Sequence, residues 1–210
     1  MSLNRLLTDK DRQLYEPYNR FFWDICPDMM ARKFPRANVQ QFFIFDVVSK
    51  LLNTIPQNPF VLSVGCYEDT AFEVLRTQHK NVIGIDPMID YDLASYKSLF
   101  PDTKFDIVFS TSVIEHVEND GLFLNDICQL IKPNGYGILT MDFNNDYKVG
   151  DRLPYTDVRF YTKQDMERLI YILDAHNCVL VDEPDWNGEP DFEYDGCVYS
   201  FATFVFRKNE

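Results

Sequence analysis

At 210 residues, with 46% hydrophobic and 25% charged side chains, the chain has the length and composition of one globular domain. Its formal net charge of -13 repels polyphosphate, which argues against a nucleic-acid partner but leaves room for a small phosphorylated ligand held by a few local cations. The five cysteines include no Cys-x-x-Cys pair, which speaks against a disulfide framework or a structural zinc site. The opening Met-Ser-Leu-Asn-Arg leads into no apolar signal core, and no run approaches the roughly 20 apolar residues that span a bilayer, so a soluble, cytoplasmic protein with no membrane partner is expected.

Residues 1–58 read as helical, an N-terminal cap on a core of 59–210 within a single domain. Val39, Phe43, Val47, Leu51 and Ile55 recur on one helical face, with Phe42, Val48 and Leu52 widening the stripe, before Pro56 and Pro59 break it. From there strands and helices alternate. Phe60–Gly65 reads as a buried strand, Asp69–His79 as a helix, Asn81–Asp86 as a second strand, and about 91–100 as short helix or irregular chain. Phe105–Ser110 reads as another strand and Asn119–Ile131 as a helix. The turn sequence Lys-Pro-Asn-Gly closes it, and Tyr136–Phe143 follows as a strand. A polar loop over 144–161 precedes Thr162-Lys-Gln-Asp165, which has the form of a capping box. Met166, Leu169, Ile170 and Leu173 then mark a helix. Cys178–Val181 and Val198–Phe206 read as closing strands, with the acidic stretch Asp182–Asp195 between them as a solvated loop. No internal repeat is evident. The alternation predicts a parallel sheet covered on both faces with an antiparallel last strand, and such sheets bind ligands beyond the carboxyl ends of their strands.

Two strand ends stand out. Gly65 closes the first strand, where the lack of a side chain lets backbone approach a ligand. Asp86 closes the second, at the spacing from Gly65 of the acidic residue that accepts hydrogen bonds from ribose hydroxyls. A carboxylate suits a vicinal diol because it accepts two hydrogen bonds at once.

In chain order, Val61-Leu-Ser-Val-Gly65-Cys, Val82-Ile-Gly-Ile-Asp86, Phe105-Asp-Ile-Val-Phe-Ser110 with Val113-Ile-Glu-His116-Val, and Leu130-Ile-Lys-Pro-Asn-Gly135-Tyr-Gly-Ile-Leu-Thr140 resemble the class I S-adenosylmethionine-dependent methyltransferases over about residues 59–207. The resemblance implies a Rossmann-like α/β fold with a seven-stranded, mostly parallel sheet whose last strand is antiparallel. It places Gly65, Cys66 and Tyr67 at the methionine part of S-adenosylmethionine, Asp86 at the ribose, Pro87 and Met88 beside the adenine, and Ser110, Thr111 and Ser112 under the sulfonium. Asp92 aligns loosely with a residue at the adenine amine. Two departures matter. Ser63 stands where the family carries an acidic residue, a role that Glu68 or Asp69 could take over, and Tyr67 and Asp69 stand where it carries glycines.

The implied chemistry is methyl transfer to a small-molecule acceptor, most simply a hydroxyl, with His116 or Asp142 as the base. Glu115 and Asp142 form no clear metal-ligand set. On the 144–161 loop, Arg152, Arg159 and Tyr161, with Lys148, are candidates for an anionic acceptor group. Thr156-Asp-Val-Arg-Phe-Tyr-Thr162 resembles methyltransferases of carbohydrate biosynthesis, which makes a sugar or nucleotide-sugar hydroxyl the leading acceptor. A non-catalytic or regulatory cofactor-binding protein is the alternative. An NAD-dependent enzyme is disfavoured by the missing glycine fingerprint and by the Glu-His-Val segment. Oligomeric state is not legible.

Overall fold

A computed structural model describes residues 2–56 and 58–210. In chain order its elements are β1 (Leu6–Leu7), α1 (Asp9–Leu14), α2 (Glu16–Ile25), α3 (Pro27–Met30), α4 (Asn38–Leu52), β2 (Val61–Val64), α5 (Thr70–Gln78), β3 (Val82–Ile85) and α6 (Leu93–Leu99). There follow β4 (Phe105–Thr111), α7 (Asp120–Leu130), β5 (Ile131–Phe143), α8 (Lys163–Ala175), β6 (Cys178–Leu180), β7 (Phe192–Tyr194) and β8 (Cys197–Lys208). The sheet runs β1-β8-β5-β4-β2-β3. Strands β5, β4, β2 and β3 are parallel, and β8 lies antiparallel to β5. The other edge of β8 is shared in succession by β7, β1 and β6, all antiparallel to it.

Alternation along each strand divides the core into two layers. Ile107, Phe109, Ile138 and Val205 face α2, α4 and α5, while Val108, Leu139, Phe204 and Phe206 face α6, α7 and α8. Both faces of the parallel centre are thereby covered, as its near-continuous apolar strands require.

Local signals set the helix starts. The Thr162 hydroxyl accepts from Asp165 N while the Asp165 carboxylate accepts from Thr162 N at 3.0 Å, so the expected capping box forms. Asp69, Asp92 and Asn119 cap α5, α6 and α7 through their side-chain oxygens.

The structure departs from the sequence reading at several points. The sheet has eight strands rather than seven. Segment 91–100 forms the short helix α6, one of the two forms the sequence reading gave it, and among the described residues no strand lies beyond β3, so β3 is an edge and Ile83 is exposed. The N-terminal residues are not wholly helical, because Leu6 and Leu7 pair with Ala202 and Phe201. The Lys-Pro-Asn-Gly turn lies inside β5 as an irregularity, with Asn134 at φ 65° and the register stepping from Phe105↔Ile131 to Ile107↔Tyr136. The acidic stretch before β8 is also more than a solvated loop. It contains β7, buries Trp186 and Phe192, and anchors Arg12 through Asp191 at 2.5 Å. Finally, α4 lies on the sheet face, with Val39–Val48 buried on every side, and only its N-terminal turn reaches the cleft described next.

Candidate active site

A cleft of about 770 Å³ opens at the carboxyl ends of β2, β3, β4 and β5, where a doubly wound sheet leaves its ligand crevice. The α4 N-terminus and the 144–161 loop flank it.

At one end stands Asp86, buried just beyond β3. Its Oδ2 accepts from Tyr67 N at 3.1 Å and its Oδ1 from Met88 N at 2.8 Å. A carboxylate offers about four acceptor positions, so this one is held rigidly by two backbone donors with capacity left for a diol. Pro87, Met88, Tyr91 and Leu93 form the adjoining wall. Asp92 also lines the cleft while its Oδ1 caps α6, and the Ser95 N–H holds its carboxyl below the ordinary value.

Gly65 lies between this end and the centre, at φ +83°. A β-carbon there would come within 2.4 Å of a Val113 methyl, so the glycine is required as much by the neighbouring loop as by any ligand. Tyr67, Thr111 and Ser112 also line the cleft. Ser112, at φ 50°, donates to Gln40 Oε1 at 2.9 Å, and Ala71 N donates to Gln41 Oε1 at 2.9 Å, so α4 braces both loops. Asp69 faces the same space with Oδ2 unpartnered. Burial raises its carboxyl to about 6 against the opposing pull of Phe72 N–H.

The other end is a cluster of buried acids. Glu115 follows β4, Asp142 is on β5, and Asp157 comes from the loop. Both carboxylate oxygens of Glu115, Asp142 Oδ1 and Asp157 Oδ2 lack hydrogen-bond partners. Burial raises Glu115, opposed by His116. Burial, together with the charges of Glu115 and Asp157, raises Asp142 well above the ordinary carboxylate range. His116 Nδ1 lies 3.1 Å from Asp157 Oδ1 and 3.2 Å from Thr156 O. Burial disfavours its cation, but the bond to Asp157 and the charge of Glu115 prevail and lift it to about 9. Phe34, Phe192, Tyr194 and Tyr199 complete this end. Burial, then the charge of Asp142, pushes the Tyr199 hydroxyl far up. Among the described residues, no three His, Cys, Asp or Glu side chains are grouped to hold a metal ion.

The structure therefore brings together Gly65, Tyr67, Asp86, Pro87, Met88, Thr111, Ser112, His116 and Asp142 as expected residues of the cleft. Five expected residues lie elsewhere. The Cys66 side chain packs over Gly84 on the far side of the loop, and burial pushes its thiol to about 12. Ser110 is buried and donates to Val64 O at 2.9 Å, tying β4 to β2. Arg152 pairs on the surface with Asp195 at 2.9 Å. Arg159 pairs with Asp120 at 2.9 Å and donates to Glu118 O at 2.7 Å. Tyr161 is fully buried, its hydroxyl 3.0 Å from Asp120 Oδ2. Arg152, Arg159 and Tyr161 therefore do not line the cleft, and each pairs with an acid outside it. Lys33 and His116 are the only basic side chains lining the cleft among the described residues. The sequence reading missed Lys33, Gln40, Gln41, Asp157 and Tyr199. Only the polar run at the start of an otherwise apolar α4 hinted at any of them.

A family of methyltransferase domains matches residues 36–180. The chain belongs to that family. The ubiquinone biosynthesis O-methyltransferase of Bradyrhizobium diazoefficiens is 30% identical over 105 residues, covering 42% of this chain and 41% of that protein. The Rickettsia typhi protein of the same name is 32% identical over 97 residues, covering 38% and 39% respectively. The matches thus span well under half of the curated relatives' length. Among solved structures, the YcgJ protein of Bacillus subtilis superposes with a TM-score of 0.57 at 12% identity, over 80% of this chain and 98% of that one. Magnesium protoporphyrin IX methyltransferase from Synechocystis, with bound S-adenosylhomocysteine, superposes with a TM-score of 0.55 at 14% identity, over 93% and 98%. This methyltransferase has the S-adenosylmethionine-dependent fold, and its cleft fits that cofactor. Asp86 offers it a rigid carboxylate with spare acceptor capacity, and Asp69 Oδ2 and Thr111 Oγ1, on residues lining the same cleft, are buried without partners.

Proposed function

We propose that the chain is an O-methyltransferase whose acceptor is small, uncharged and rich in hydroxyl donors, a hydroxylated ring above all, with Asp142 as the base. The observation that carries this is the set of orphaned carboxylate oxygens on Glu115, Asp142 and Asp157. Each buried acceptor without a donor costs on the order of 1–3 kcal/mol, which an incoming hydroxyl recovers. An anionic group would instead meet like charges in a poorly solvated site. That weighs against a nucleotide sugar, whose diphosphate would find neither Arg152 nor Arg159 in the cleft. An unphosphorylated sugar remains compatible. The aromatic walls suit a ring, and the O-methyl transfer named for the relatives supports an oxygen acceptor.

When bound, S-adenosylmethionine supplies a methyl group made electrophilic by its sulfonium. Asp86 would hold the ribose, with Pro87 and Met88 along the adenine. The chain's remaining task is to align the acceptor oxygen and remove its proton. His116 is the weaker candidate, because its Nδ1 is engaged with Asp157 Oδ1 and Thr156 O. Asp142 has a raised affinity for protons and an unpartnered oxygen in the cleft, which suits a carboxylate base. His116 then balances the charge of Glu115 and Asp157.

The test is transfer of labelled methyl to a panel of catechols, unphosphorylated polyols and sugar nucleotides. Turnover of catechols or polyols with none of sugar nucleotides is expected. Preferential methylation of a phosphorylated acceptor would overturn the acceptor class. Tight S-adenosylhomocysteine binding with no transfer to any acceptor would favour the non-catalytic alternative.

A further inference from the structure

Ser63 is fully buried within β2, its hydroxyl unpartnered, between Gly84 of β3 and Phe109 of β4. It does not line the cleft. The acid that the methyltransferase resemblance places there is therefore missing in space as well as in sequence. Of the two acids that follow, Glu68 is engaged with Arg32 at 2.9 Å. Asp69 is different. Its Oδ1 accepts from Phe72 N at 2.7 Å and fixes the side chain at the start of α5. Its Oδ2, in a residue only 3% exposed, has no partner and lies among the cleft residues beside Gly65 and Thr111. The charge of Lys33 acts on it, and Lys33 also lines the cleft and makes no side-chain bond among the described residues. A buried carboxylate with one oxygen committed and the other idle calls for a cation. An unpaired ammonium facing the same space calls for an anion. An α-amino acid supplies both charges on adjacent atoms.

We infer that Asp69 and Lys33 together bind the amino-acid end of the cofactor, Asp69 Oδ2 accepting from its α-ammonium and Lys33 facing its α-carboxylate. The acid absent from the strand is thus replaced from the helix cap. The inference rests on the cofactor assignment above and not on the acceptor or the base. Lys33 precedes α4 and Asp69 follows β2, so the N-terminal helices and the sheet core each supply one charge.

The test is calorimetry with two probes, S-adenosylhomocysteine and 5′-methylthioadenosine, which keeps the adenosine and the thioether but lacks the amino acid. Asp69→Asn preserves size and helix-capping capacity. It should weaken S-adenosylhomocysteine by about 10- to 100-fold and leave methylthioadenosine within about twofold, as expected for loss of a charged hydrogen bond. Asp69→Ser, which also caps, should behave alike. Lys33→Met should weaken S-adenosylhomocysteine alone. Asp86→Ala should weaken both probes. Equal binding of S-adenosylhomocysteine by wild type and Asp69→Asn would overturn the inference, as would equal loss of both probes. If the wild-type protein binds neither probe, the cofactor assignment fails and this inference fails with it.

Discussion

Burial raises the proton affinities of Asp142 and Glu115, and the charges of Glu115 and Asp157 raise that of Asp142 further, so both carboxyls are linked to stability. A carboxyl whose folded pKa is raised favours the folded state fully below its unfolded value near 3.9. That advantage is lost as pH rises through the folded value. At pH 8 the folded protein therefore carries the burden of ionised or proton-sharing acids. Asp142→Asn should relieve part of it, by ~1–3 kcal/mol, raising Tm by roughly 2–4 °C per kcal/mol in a chain of this size. Thermal melts at pH 8 and pH 4 check this, the gain being confined to pH 8. Asp86 acts differently. Asp86→Ala should weaken S-adenosylhomocysteine by ~1.5–3 kcal/mol or more through loss of two accepted bonds. Calorimetry showing wild-type affinity would remove Asp86 from the ribose site.

At the level of elements, the 144–161 loop is clamped rather than free. Asp120, at the start of α7, receives Arg159 at 2.9 Å, Arg168 of α8 at 2.6 Å and the Tyr161 hydroxyl at 3.0 Å, and these opposing bonds outweigh burial and lower its carboxyl. Arg159→Ala should therefore cost ~1–3 kcal/mol of stability and leave the acceptor KM nearly unchanged. Denaturant unfolding with steady-state kinetics separates the two, and a raised KM in a fully stable variant would restore Arg159 to the acceptor site. These elements show what local sequence can convey. Asp86 was legible because its spacing from Gly65 is set by one strand–helix–strand unit, and the Thr162 box because its partners are three residues apart. Asp157 was not, because its place beside His116 is set by how a long loop folds back, and Val158 N donating to Glu115 O is a tertiary contact. Arg159 and Tyr161 were misread for the same reason: their partner, Asp120, is distant in sequence. The sheet-facing position of α4 was likewise hidden, since its apolar stripe fits a cap or a sheet cover equally well.

Across the whole molecule, the two-layered sheet buries its acids at one end, and stability should follow pH accordingly. His116 is held at about 9, above its unfolded value near 6.5. The stability it adds is complete below pH 6.5 and lost as pH rises through 9. The buried carboxyls act in the same direction, so Tm should fall from pH 6.5 to 9, and less so in His116→Asn. The net charge of -13 predicts no salt-sensitive micromolar affinity for RNA or DNA in an anisotropy titration. The roles proposed for Asp86 and Asp142, binding cofactor and moving the proton, are separable, since the two residues stand at opposite ends of the cleft. The most direct measurement is therefore the turnover of Asp142→Asn on a responsive hydroxylated acceptor, with S-adenosylhomocysteine affinity measured on the same preparation. The account predicts kcat lower by about 100-fold or more with cofactor affinity within about twofold of wild type. Near-normal turnover by Asp142→Asn would contradict it.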